Sequence, residues 1–280
     1  MRIRIYPWKS PSASAEALRD AFQSLGQDAL LIRREGSRFT PRDTDFVINW
    51  GSTDVLPYET VNSAAAVNTA TNKKATLQRL RENHVSCVDF TADQAEAQRW
   101  NSPVYIRTRL RASAGAGIIY AQAGEAIGLA PLYTKAEVGK EYRVHVMIDA
   151  DGEGHMVRCQ KRFKEDDDNP VRSHNNGYRF ITGNFRRPNH IGKLAIAAIK
   201  AVGLKFGAVD IINARDPLTG ERTLKVLEIN TACGLEGSSP TELAQAFLDH
   251  LAPPEPELPE VEPYTFDPDT EVKLVRSDAA

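Results

Sequence analysis

Residues 206–230 read FGAVDIINARDPLTGERTLKVLEIN: two apolar strand-like runs joined by a turn at DPLTG. Asp210 sits inside the first run, and Glu228 and Asn230 sit inside the second. An ionised carboxylate taken out of water without a counter-charge is strongly destabilising, so acids in such places need a partner, and a hard divalent cation accepts oxygen ligands of this kind. Side chains two residues apart on a strand share a face, so Glu228 and Asn230 point into one cleft, and a hairpin brings Asp210 to the same side. Two carboxylates and one amide do not complete an octahedral magnesium shell, which is ordinarily finished by water and substrate phosphates. The motif therefore predicts a magnesium-bound nucleotide. The competing reading is a salt-bridged strand pair with Lys225 or Arg222 as partner.

Working outward, residues 2–6 and the runs DALLI and TDFVINW alternate with a helix over Ser14 to Leu25, the pattern of a small α/β lobe. Thr71 to Glu82 is expected to be one helix, with Leu77 and Leu80 turned inward. VSCVDF reads as a strand, then a helix opening at Thr91, then the strand PVYIRT at residues 103–108. Runs at 117–121, 128–134, 142–149 and 155–163, separated by Gly or Asp-Gly turns, predict an antiparallel sheet. Ile191, Leu194, Ala195, Ala198, Ile199 and Val202 recur at helical spacing. A last helix is expected to open on the capping box Ser239-Pro240-Thr241-Glu242 and to end near Leu251. Five prolines and four glutamates fall in the eleven residues from Pro253 to Pro263, a composition that favours an extended tail.

The 280-residue chain is 41% hydrophobic and 26% charged, within the ordinary globular range, and no apolar run approaches the roughly 18 residues of a bilayer crossing. Its beginning, MRIRIYPW, reads as a strand and not as an export signal, which makes the cytoplasm the expected location. A net charge of -2 offers no general attraction to nucleic acid or anionic membranes. Three widely spaced cysteines, Cys87, Cys159 and Cys233, fit neither a disulfide framework nor a zinc site.

Three further segments carry polar chemistry. Residues 112–117, ASAGAG, including Ser113, Gly115 and Gly117, form a small-residue loop through which backbone N–H groups can approach phosphates, although an ordinary hairpin loop fits as well. Glu141, Arg143 and His145 alternate onto one strand face, where a carboxylate can accept from ribose hydroxyls and a guanidinium can meet an anion, or where all three face solvent. Between Glu165 and Gly183 a long polar stretch bears Arg172, His174, Asn175 and Asn176; it is either substrate-facing or an exposed loop.

The order of these pieces, a small-residue loop after an apolar strand, GKEYRVHV after a hinge, the basic strand QKRF, then AVDII and VLEINTACGLEG, resembles the ATP-grasp superfamily over most of residues 71–240. The resemblance is greatest to its RimK-like and D-alanine:D-alanine-ligase-like carboxylate-amine ligases. It implies an α+β / α/β fold with an N-terminal α/β lobe over 1–70, a central lobe over 71–135, a C-terminal lobe over 136–251 and the tail over 252–280. In that fold the nucleotide lies between antiparallel sheets.

The same resemblance implies that ATP and magnesium are the cofactors, with two ions held by Asp210, Glu228 and Asn230 and manganese as a substitute. It assigns Arg107, standing where the family has a lysine, to the α- and β-phosphates, and Lys73, or its neighbour Lys74, to the basic cofactor-binding position that begins the central lobe. The hinge of Tyr133, Thr134 and Lys135 would hold adenine through backbone groups, and Glu141 the ribose. Arg162, with Lys161 in reserve, would face the transferred phosphate beside Arg143. Arg172, His174, Asn176 and the glycine loop at Gly234 would border the substrates, with His174 a candidate base, and Trp50, Gly51 and Ser52 would lie near the acceptor. The implied activity is ligation of a carboxylate to an amine, small-molecule or peptide, through an acyl phosphate. Its rivals are phosphorylation without ligation, thioester formation, peptide cyclisation and a non-catalytic nucleotide-binding module. A homo-oligomer is compatible with the sequence.

Overall fold

The computed structural model describes residues 1–112, 115–166, 169–216, 218–235 and 237–252. Ser113 of the small-residue loop and the Pro/Glu-rich segment from Pro253 lie outside them. The chain begins with β1 (Arg2–Pro7), α1 (Ala13–Ser24), β2 (Asp28–Leu31) and β3 (Asp45–Trp50). These strands form a parallel sheet in the order β2-β1-β3. The Ser12 side chain accepts from the Ala15 N–H and so starts α1, whose Leu18 and Phe22 are wholly buried.

Next come α2 (Ala64–Thr71), α3 (Lys73–Glu82), β4 (Phe90–Thr91), α4 (Gln94–Arg99), β5 (Val104–Arg107), β6 (Ile118–Ala121) and β7 (Leu132–Lys135). The helix expected from Thr71 starts two residues later, at Lys73, and the helix before it, which ends at Thr71, was not expected. Asn72 leaves helical geometry, and its side chain caps α3 by accepting from the Ala75 N–H. VSCVDF supplies only the start of a two-residue strand. Its middle is tied to the far end of the molecule, with Val88 N–H donating to the Val226 carbonyl and Val226 N–H to that of Ser86. The following helix begins three residues past Thr91, at Gln94, capped by Asp93. The run at 128–134 is strand only from Leu132.

The remaining elements are β8 (Gly139–Ile148), β9 (Gly154–Phe163), β10 (Arg179–Ile181), α5 (Ile191–Ala201), β11 (Phe206–Arg215), β12 (Arg222–Asn230) and α6 (Ser239–His250). A single 3-10 turn at His174–Asn176 and β10 give structure to part of the polar stretch after Glu165. Ser238, not Ser239, occupies the cap position of α6, and its hydroxyl donates to the Glu242 carboxylate instead of holding a backbone N–H.

Two antiparallel sheets face each other. One has the order β4-β7-β5-β6 and the other β10-β9-β8-β11-β12. The back of the five-stranded sheet packs on α5, whose Ala195, Ala198 and Ile199 are wholly buried in the main core with Val144, Val209 and Val226. Its front is divided. At one end Met147, Phe206 and Ala208 join Trp50, Phe22 and Phe247 in a second core that welds the parallel sheet and α6 to it. Trp50 stacks on Phe206 at 5.7 Å between centroids and 15° between planes. Asn62 completes this seam: its amide donates to the Phe206 carbonyl and accepts from the Lys205 N–H. At the other end the front is polar and lines the cleft between the two antiparallel sheets. Among the described residues no helix is long and apolar enough to cross a membrane.

Candidate active site

β11 and β12 pair as the hairpin expected from their sequence, with Asp210 directly opposite Glu228. The register shifts immediately afterwards, so that Ile211 lies opposite Val226 and Leu227 is the extra residue. A bulge re-aims side chains, and here the consecutive Leu227 and Glu228 both line the cleft. Asp210, Glu228 and Asn230 thus converge in one cleft of about 380 Å³.

None of the three carboxylates at its floor is alone. Arg143 on β8 grips Asp210 with two donors, Nε to Oδ1 at 2.7 Å and Nη2 to Oδ2 at 2.9 Å. Arg162 on β9 donates to Asp210 Oδ2 at 3.0 Å, to Glu141 Oε2 at 2.6 Å and to the Arg172 carbonyl at 2.6 Å. Lys73, from the first turn of α3, reaches Glu228 Oε2 at 2.8 Å across 155 residues of chain. Burial opposes the ionisation of Glu228, but the Lys73 ammonium, with Arg107 and Arg162 beyond it, outweighs burial and holds that carboxyl well below its ordinary range. Arg107 is 7% exposed and has no carboxylate within 4.0 Å among the described residues; its Nε donates to the Thr134 hydroxyl at 3.3 Å, and burial lowers its pKa. The partners of the acids are therefore Arg143, Arg162 and Lys73, whereas Lys225 pairs with Glu137 at the cleft's other end.

The cleft has the chemistry of a site for an anion with an apolar appendage. Among the described residues seven lysines and arginines line it against four acidic side chains. Val88, Ile118, Ile212 and Leu227 form an apolar wall near Thr134, Lys135 and Glu137. A divalent cation fits the acidic corner. Among the described residues Asn230 Nδ2 is buried with no hydrogen-bond partner, and Glu228 accepts from Lys73 at Oε2 alone. An unsatisfied buried N–H donor costs about 1–3 kcal/mol, a cost relieved when a phosphate oxygen accepts from Nδ2, whereas a metal ion would be met by the amide oxygen and by Glu228. Among the described residues no three His, Cys, Asp or Glu side chains cluster as a metal site, so the candidate set is the mixed one of two acids and an amide.

The cleft gathers most of the sequence-predicted residues: Lys73, Arg107, Gly115, Thr134, Lys135, Glu141, Arg143, Arg162, Arg172, His174 and Gly234 all line it, with the three acid-corner residues. Four others lie elsewhere. Lys161 falls on the opposite face of β9 from Arg162, as strand alternation requires. The Tyr133 ring is buried in the core of the four-stranded sheet, with its hydroxyl donating to the Gly128 carbonyl and accepting from the Ala130 N–H. Asn176 closes its own loop by donating to the Val171 carbonyl at 2.6 Å. Gly117 is needed for the turn itself, since at φ +74° any Cβ there would crowd Thr108 and Arg109. Of the hinge N–H groups, that of Lys135 already donates to the Asp89 carbonyl. Both Glu141 oxygens accept from arginines, Oε2 from Arg162 and Oε1 from Arg172 at 3.3 Å.

Sequence reasoning missed Tyr105, Ile118, Glu137, Phe180, Leu227 and Cys233, which also line the cleft. Gly115 comes so close to Ser173 that a Cβ would sit 2.9 Å from the Ser173 Cβ, and the Tyr105 hydroxyl donates to the Pro170 carbonyl at 2.6 Å. The small-residue loop thus meets the polar stretch across the cleft mouth. Cys233 forms the end wall with its Sγ 3.7 Å from His145 Nδ1. Burial pushes that thiol up to about 11, and burial with Arg143 nearby pushes His145 down to about 3. Such a pair lacks both a thiolate and a base, which argues against a thioester carried on this cysteine.

No protein-family model matches the chain. No curated protein matches it either. Solved structures do. The ATP-grasp ligase PsnB complexed with minimal precursor superposes with a TM-score of 0.63 over 89% of this chain and 99% of that one, at 13% identity. D-alanyl-alanine synthetase A from Vibrio cholerae gives 0.59 over 88% and 93% at 12% identity. The RimK domain ATP-grasp protein from Sphaerobacter thermophilus gives 0.56 over 88% and 98% at 15% identity. At these identities the likeness is one of architecture, and it agrees with the two facing antiparallel sheets and the acid-bearing hairpin: the chain has the ATP-grasp fold.

Proposed function

We propose that this chain is an ATP- and magnesium-dependent ligase that activates a carboxylate as its acyl phosphate and joins it to an amine. The observation that carries this reading is the convergence of Asp210, Glu228 and Asn230 with Lys73, Arg107, Arg143 and Arg162 in one cleft of an ATP-grasp fold. Magnesium held by Asp210, Glu228 and Asn230 would supply Lewis-acid neutralisation of phosphate charge. Lys73 and Arg107 bind the phosphates, and the apolar wall at Val88, Ile118 and Leu227 excludes water from the base, which Thr134, Lys135 and Glu137 orient.

Arg143 and Arg162 exchange their carboxylate partners for the oxygens of the entering anion, fixed donors aimed where negative charge accumulates. Arg172 and Gly234 border the substrate end, and His174 at the mouth takes the amine proton. A peptide carboxylate or amine is the favoured substrate class, since PsnB, of like fold, was solved with a precursor peptide.

Replacing Glu228 with Gln keeps the shape and removes the charge. ADP release should fall by at least about 10³-fold with the melting temperature within a few degrees of the parent. An undiminished rate removes the metal assignment. One amide formed per ADP, in a screen of amino acids and peptides, separates ligation from bare phosphorylation.

A further inference from the structure

Phe180 belongs to none of the hydrophobic clusters formed by the described residues, although it is a large aromatic side chain. It sits in the middle of the edge strand β10, opposite Arg162 in register, and lines the cleft. The guanidinium carbon of Arg143 lies 4.0 Å from its ring centroid and that of Arg162 lies 4.6 Å from it. One ring therefore serves two cations, and the same two cations share one acceptor, Asp210 Oδ2. Arginine side chains are long and lose considerable rotamer freedom when fixed. The negative face of an aromatic ring holds a guanidinium without consuming its N–H donors, which stay available to oxygen.

We propose that Phe180 is the positioning residue that keeps Arg143 and Arg162 together as one anion-binding pair, so that an oxyanion entering the cleft meets donors already in place. The inference rests on the function proposed above only in naming that anion a phosphate. The ring acts through the two arginines, having no hydrogen-bonding atom of its own.

The test uses the whole chain and inorganic tripolyphosphate as probe, with affinity read by calorimetry. Phe180→Leu, which retains bulk but removes the π-face, should weaken binding by about 5- to 30-fold, the effect of a desolvated cation–π contact. Phe180→Tyr and Phe180→Trp should stay within about threefold of the parent. Parental affinity in Phe180→Leu overturns the proposal, and so does a tryptophan variant as weak as leucine, because shape alone would then be at work. A parent that fails to bind tripolyphosphate overturns it as well. Should Phe180→Leu lower the melting temperature by more than a few degrees, Phe180→Met takes its place in the series. If the parent binds the probe but releases no ADP with any substrate, the ligase reading fails while the Phe180 comparison still decides its own question.

Discussion

The front of the five-stranded sheet is two surfaces on one set of strands. Toward Met147, Phe206 and Ala208 it is apolar and welded to the parallel sheet through Trp50 and Phe247. A few residues along the same strands, at Arg143 and Asp210, it is charged and borders open space. Strand alternation fixes which residues face front, but residue chemistry decides whether that front is glue or site. His145 stands at the frontier, buried like its apolar neighbours yet next to Arg143 and Cys233.

The most direct way to break the contrast is to weaken the welded half. Trp50→Ala removes a wholly buried stacked ring and should cost about 3–5 kcal/mol in denaturant unfolding. Nucleotide affinity at the other half should stay within about threefold; a parallel collapse of both would show the halves to be one unit. A smaller effect is expected at the polar stitch of the seam. Asn62→Ala strands the Phe206 carbonyl and the Lys205 N–H, a loss of about 1–3 kcal/mol by the same measurement.

The gentlest probe is pH. His145 stays neutral in the folded chain down to about 3, whereas unfolded histidine protonates near 6.5. Its contribution is therefore complete above about pH 6.5 and is lost as pH falls toward 3, at up to about 1.4 kcal/mol per unit. Subtracting the unfolding curve of His145→Gln isolates this slope between about pH 5 and 6.5, above the range in which the lowered carboxylates titrate. A flat difference curve would mean that His145 protonates without penalty and that the frontier is wetter than its burial indicates.

Much of the chemistry was legible because strands force it. Acids inside apolar strands, and Arg162 against Lys161 on opposite faces, follow from period two. Helix and strand existence followed mostly from periodicity, while Asn72 escaped notice because one residue there ends one helix and caps the next. The apolar wall was illegible: Val88, Ile118 and Leu227 have the sequence signature of core residues, and only packing shows that they face a void. Leu227 needed the bulge as well, which strand alternation does not foresee. Lys73 meeting Glu228 is a tertiary event between a helix start and a strand end, and Glu141 accepting two arginines depends on neighbours far along the chain. The Tyr133 ring was equally out of reach, since its hydroxyl finds carbonyl and amide partners within its own lobe.

The four-stranded sheet is attached to the rest unevenly. Phe90 and Leu132 belong to the main core, whereas Val104, Ile106, Ala121 and Tyr133 keep a small interior of their own with Ala97 and Ile127. It is a leaf pinned along one margin. At the free margin its clasp is a tyrosine hydroxyl on a proline carbonyl and a glycine resting on a serine, neither of which buries much hydrocarbon. Parting the free margin would break the Tyr105–Pro170 hydrogen bond, whereas parting the pinned one would draw Phe90 and Leu132 out of the main core, so whatever enters between the sheets meets far less resistance on one side than on the other.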